Sequence, residues 1–195
     1  MTNSVVGLSS TEIKALLDRV LEPDKVNFLG VFAKNEIPGI TDQLRFPAYL
    51  VANTANSTQA GEHWIALYFT DSLHCEFFDS FAFSPGFYGL SEYLNKFSIT
   101  ATVDFPLQSI NSSVCGHYCI YYLFNRSLGH PMHLILRSFT TVDQDWNDNH
   151  VFDVVTNNFH RYSTHSHNSI CTCPNLRCIS RTALLLLCVL LRRSQ

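Results

Sequence analysis

The chain has 195 residues, of which 46% are hydrophobic and 13% aromatic, with a net charge of −3. That length suits one domain with a sizeable core, and that apolar content excludes a disordered chain. Thirteen Lys plus Arg against sixteen Asp plus Glu leave no basic footprint for nucleic acid as the main partner. Seven cysteines are an odd number, and Met1-Thr2-Asn3-Ser4 opens without a basic segment leading into an apolar one. Reduced thiols in an intracellular setting are therefore expected.

In chain order, Ser9 with Glu12 has capping-box spacing, and Ile13, Leu16, Leu17 and Val20 repeat on one face, which predicts a helix over 9–21. The short apolar run 28–33 predicts an edge strand or extended loop, and 46–53 predicts a strand. His63 then opens a nearly continuous apolar run to Phe69, suited to a central strand covered on both faces. Asp71-Ser72 turns the chain, and 73–79 reads as the hairpin partner. A helix over 90–97 and a strand within 100–107 follow. The apolar, aromatic run Cys115–Phe124 predicts a buried helix, with Asn111, Ser112 and Ser113 as cap residues. Two more helices are expected, over 132–139 and 143–162, the second with Trp146, Val151, Val154, Val155 and Phe159 on its apolar face. The nine-residue aliphatic run 183–191 is about half a membrane span, so no membrane partner is expected. The pattern is α+β: a small mixed central sheet with helices packed on it.

The chemistry gathers around Cys115. A thiol in the first turn of a helix faces free N–H groups and the positive end of the dipole, which favour a thiolate. Gly116 leaves room for another chain to approach the sulfur. Gln108 carries an uncharged NH₂ that can donate to a developing oxyanion. Across a hairpin turning at Asp71-Ser72, His63 and Asp79 fall beside each other, so that a carboxylate can orient an imidazole base. The four make a nucleophile, base, orienter and oxyanion donor.

The tract Asn53-Thr54-Ala55, the run Gly61-Glu62-His63-Trp64 before an apolar strand, Phe78-Asp79-Ser80-Phe81, and Gln108 seven residues before Cys115-Gly116-His117-Tyr118-Cys119 resemble the adenovirus-type cysteine proteases. The ubiquitin-like-protein proteases of the same fold are more distantly similar. The resemblance implies a cysteine endopeptidase with His63, Asp79, Gln108 and Cys115 as catalytic residues. It also implies Trp64 as a shielding indole at a substrate slot shared with Gly116, no cofactor, and no metal. It implies cleavage near Gly in viral or element-encoded structural precursors, such as capsid proteins, in the nucleus or cytoplasm of a host cell or inside a virion. Viral and Maverick/Polinton-like transposon origins both fit. It covers residues 1–165 as the protease domain and leaves 166–195 as a tail.

Asp79 stands where the adenoviral enzyme has Glu, as in the ubiquitin-like-protein branch, so a deconjugase is the alternative within the class. No cysteine lies between Asp79 and Gln108, so a disulfide-linked peptide activator is not expected, and the charge argues against a DNA activator. A papain-like order would need His150 or His160 as base. A non-enzymatic metal or interaction module would use Cys171, Cys173 and Cys178 with His165 and His167.

Overall fold

A computed structural model describes residues 7–158. Helix α1 is Ser10–Val20, capped by Ser9, and the Ser9–Glu12 capping box forms with Ile13, Leu16 and Leu17 buried. Five strands follow in one sheet: β1 Asn27–Phe32, β2 Ala48–Asn53, β3 Trp64–Phe69, β4 His74–Phe78 and β5 Ser98–Thr102. Their spatial order is their chain order. The centre β2-β3-β4 is antiparallel, while the flanking strands run parallel to their neighbours. The sheet is therefore mixed, as the pattern of short strands implies.

Successive side chains of β2 and β3 point to opposite faces, and burial of both faces explains why these strands carry almost no polar residues. Leu50, Ile65, Leu67, Phe69 and Phe77 share one face and pack with Leu90, Leu94 and Phe97. The opposite face meets helix α3, Cys115–Ser127, whose first ten residues are all buried. There Phe78 stacks on Tyr122 with ring centres 4.3 Å apart. The Arg126 guanidinium lies 4.0 Å over the Tyr68 ring and pairs with Glu76 at 3.0 Å. A helix buried on every side needs cover beyond the sheet, and α1, α4 (Met132–Leu136) and α5 (Gln144–Asp153) provide it.

Four expectations are revised. The 90–97 helix shrinks to one turn, α2 at Ser91–Leu94, because Ser98 already donates to Leu73 O at 2.7 Å and enters the sheet as β5. The strand of this region begins at Ser98 rather than Thr100. Helix α4 stops at Leu136 rather than Phe139. Beyond α5 the chain continues as a π-type turn, Val154–Asn158, and Trp146 is half exposed, stacked flat on His150. The end of the 143–162 helix, His160, the Cys171–Cys178 cluster with His165 and His167, the leucine run and the 165/166 boundary lie outside the described residues. Among the described residues, no helix is long and apolar enough to cross a membrane.

Candidate active site

The ladder between β3 and β4 pairs Ala66 with Phe78 and Phe69 with Cys75. Continued past the strand ends, it sets Phe81 rather than Asp79 opposite His63. The ring of Phe81 does stack on the imidazole, with centres 4.6 Å apart. Asp79 reaches His63 from two residues earlier, where the chain leaves the sheet. His63 Nε2 and Asp79 Oδ1 are 2.6 Å apart, and both side chains are buried.

The Asp79 carboxylate is 1% exposed and fully occupied. Besides the imidazole, Oδ1 accepts from Phe81 N at 3.0 Å, and Oδ2 accepts from Phe83 N at 2.8 Å and the Tyr88 hydroxyl at 2.9 Å. The backbone wraps this carboxylate through Ala82, whose φ of 60° is unusual for a residue with a Cβ. Those hydrogen bonds satisfy a charge that burial would otherwise disfavour. Tyr88, on a short 3-10 turn at Pro85–Tyr88, carries no signal in the sequence; only the turn brings it back over His63, with ring centres 5.7 Å apart.

Cys115 is the first residue of α3, and Val114 is the N-cap with no side-chain hydrogen bond. The expected caps Asn111, Ser112 and Ser113 are not the N-cap, and no side chain caps the start of the helix. Cys115 lines the same cleft as His63 and acts on the pKa of its imidazole. With Nε2 held by Asp79, Nδ1 is the nitrogen left for sulfur. Burial opposes an imidazolium at His63. The hydrogen bond to Asp79, then the hydrogen bond and charge of Cys115, outweigh it and lift the pKa from 6.5 to about 9.

Gln108 is buried and held at both ends of its amide. Ser80 Oγ donates to Oε1 at 2.7 Å, and Nε2 donates to Ser112 O at 3.0 Å and Ser112 Oγ at 3.1 Å. Next along the loop, Ser109 N donates to Asp148 Oδ2 at 3.2 Å. The backbone N–H groups of Leu107 and Gln108 both donate to Ser80 O. Thus neighbouring residues at the exit of β4 hold the His63 imidazole (Asp79) and the Gln108 amide (Ser80). From α5, Asn147 Nδ2 donates to Leu107 O at 2.9 Å and anchors the same loop.

His63, Trp64, Gln108, Ser113 and Cys115 line one cleft of about 520 Å³. The Trp64 indole N–H donates to Leu8 O at 3.0 Å, which ties the segment before α1 across its edge. Gly116 has a different use from the expected slot. It does not line this cleft, and a Cβ there would come within 2.9 Å of Ile13 Cδ1 and 3.3 Å of Leu8 Cβ. Its smallness lets α1 approach α3. Asn53 closes the loop before His63, with Oδ1 accepting from Ala55 N and Glu62 N.

The competing base His150 sits elsewhere. His150 packs between Trp146 and Tyr121 and lines neither described depression near Cys115. His117 is buried against Phe152, and burial lowers its pKa to about 4, so it is neutral at physiological pH. Among the described residues no group of three or more His, Cys, Asp or Glu is placed to hold a metal ion.

The family model described as adenovirus endoprotease matches residues 28–169. Among solved structures, the chain is similar to the ASFV pS273R protease, with a TM-score of 0.52, 16% identity and 77% of this chain covered. The match spans 66% of that protein's length, just under two thirds, and at this identity the likeness is one of fold. A central domain of the uncharacterized Lpg1148 protein from Legionella pneumophila matches at a TM-score of 0.49 and 11% identity, over 82% of this chain and 99% of that domain. A search of curated proteins finds no significant match.

Proposed function

Because the chain belongs to the adenovirus endoprotease family of cysteine-type peptidases, we propose that Cys115, His63, Asp79 and Gln108 make it an endopeptidase acting on protein substrates. The observation that carries this reading is the buried His63–Asp79 pair, with Nε2 and Oδ1 2.6 Å apart, on an imidazole that lines the same cleft as Cys115 and Gln108. The Cys115 sulfur attacks the scissile carbonyl as a thiolate paired with imidazolium. The oxyanion that forms takes hydrogen bonds from the free first-turn N–H groups of α3 and from Gln108 Nε2, which turns part of its donation away from Ser112. His63 Nδ1 then gives its proton to the departing amine as the C–N bond breaks, leaving an acyl-enzyme. The neutral imidazole next takes a proton from water, which attacks the thioester and frees Cys115. Asp79 keeps Nε2 protonated throughout and stabilises the cation.

The substrates proposed are structural precursors of a virus or virus-like element, cleaved beside Gly, with the enzyme at work inside the host cell or in a particle. The cleft flanked by Trp64 and Leu8 supports small residues at the scissile bond. Asp at position 79 favours, as a second reading, a processing enzyme for a ubiquitin-like protein. Incubating the protein with capsid precursors and ubiquitin-like precursors side by side, with Cys115→Ala and His63→Ala as controls, decides between them. Cleavage that survives Cys115→Ala sinks both.

A further inference from the structure

A second depression of about 480 Å³ adjoins the cleft. The two share Glu62, His63, Phe81 and Ile110, but only the first touches Cys115, Gln108 and Trp64. The second therefore lies beyond the imidazole, away from the sulfur. Its far wall is aromatic. Phe83 stacks on Phe87 with centres 4.4 Å apart, and Tyr88 meets Phe87 edge-on at 5.1 Å. Phe83, Phe87 and Ile110 are 39%, 67% and 71% exposed, a cluster of large apolar side chains in water at the mouth of a catalytic groove.

Resting on the peptidase reading above, we propose that this depression binds a large apolar side chain of the leaving half of the substrate, within the first three residues after the scissile bond. The direction comes from the chemistry. The acyl half must stay where sulfur and oxyanion donors hold its carbonyl, on the Cys115–Gln108 side. The departing amine must sit against the His63 nitrogen that protonates it. A chain continuing from that amine runs past His63 into the aromatic depression. Thr54 is among its lining residues and carries a buried hydroxyl without a hydrogen-bond partner among the described residues. A buried polar group in that state is a place for a peptide group to bond. Aromatic and aliphatic walls select Phe or Leu over Ala.

The wall is held by the catalytic carboxylate itself, since Asp79 accepts from Phe83 N and from the Tyr88 hydroxyl. Phe87, which makes neither contact, is therefore the residue to change, together with Ile110.

The test has two arms. In the first, peptides share Gly before the scissile bond and carry Phe, Leu or Ala in turn at each of the first three positions after it, and kcat/KM is measured. At one position Phe or Leu should exceed Ala by about tenfold or more, the discrimination typical of an apolar pocket. In Phe87→Ala and Ile110→Ser that ratio should fall to about threefold or less. In the second, Cys115→Ala protein is titrated by calorimetry with the leaving-half peptides alone, and those bearing Phe or Leu should bind more tightly than those bearing Ala. Cleavage by wild type with no discrimination in either arm overturns the pocket and leaves the peptidase reading standing. Discriminating binding with no cleavage by wild type does the reverse. A preference unchanged in both variants, or one that appears only at residues before the scissile bond, overturns the assignment.

Discussion

Asp79→Asn tests the centre of the site, because the replacement keeps the shape and removes the charge. The rise of His63 from 6.5 to about 9 amounts to about 3 kcal/mol in favour of the imidazolium, at about 1.4 kcal/mol per pH unit. A folded-state pKa above the unfolded one adds stability that is complete below 6.5 and lost as pH climbs through about 9. Wild type should therefore lose up to about 3 kcal/mol of unfolding free energy between pH 6 and pH 10 through this group. The hydrogen bond that Asp79 accepts from His63 is the largest of the favourable contributions, so Asp79→Asn should visibly flatten that pH dependence. The amide also fits the wrap badly. One of its two ends is now a donor, facing either the imidazole and Phe81 N or Phe83 N and the Tyr88 hydroxyl. An unpaired buried N–H adds a pH-independent cost of about 1–3 kcal/mol. Turnover should fall by roughly 10³–10⁴, as when a triad carboxylate is made an amide elsewhere. The assays are urea unfolding at pH 6, 7.5 and 9, kcat, and the rate of Cys115 alkylation. A variant with wild-type pH dependence of stability and wild-type alkylation would refute the claim that Asp79 holds His63 charged.

Limiting iodoacetamide at pH 7 should label Cys115 ahead of Cys75 and Cys119, whose thiols burial pushes up, Cys75 to about 12; peptide mapping reads this. Gln108→Ala should lower kcat by roughly 10²–10³ with little change in KM and in alkylation rate, and loss of thiol reactivity would mean that Gln108 only builds the loop. His63→Ala should abolish turnover while His150→Ala keeps most of it; the opposite result restores the papain-like order. Gly116→Ala should destabilise by about 1–3 kcal/mol in urea unfolding, because its Cβ meets Ile13 and Leu8, and Ile13→Val should recover part of the loss.

What could be read from the sequence was local or periodic. The Ser9–Glu12 box caps its helix because both partners lie within one turn. The central strands announce themselves because burial on both faces leaves a continuous apolar run. Contacts between distant segments were not legible. Ser112 has good capping propensity, yet its hydroxyl accepts from the Gln108 amide, and Val114 is the N-cap of α3 instead. Gly116 beside a thiol suggests access for substrate, but nothing nearby in sequence reveals that α1 presses on it. A simple hairpin count pairs His63 with Asp79, whereas the ladder sets Phe81, two residues later, opposite His63. The pair still forms, because the exit of β4 bends back at Ala82 around the carboxylate.

The same exit shows why a short polar tract can carry more than its composition suggests. Asp79, the first residue past β4, turns to the imidazole, and Ser80, in the turn that follows, donates to the Gln108 amide oxygen, so two consecutive residues hold the proposed base and the proposed oxyanion donor. The order Asp-Ser is therefore as much a part of the site as the residue types. A Ser80→Ala change should misplace Gln108 while leaving His63 paired, lowering kcat with the alkylation rate of Cys115 intact. If Ser80→Ala instead slows alkylation as much as Asp79→Asn does, the two halves of the site are not separately held and this account of β4 is wrong.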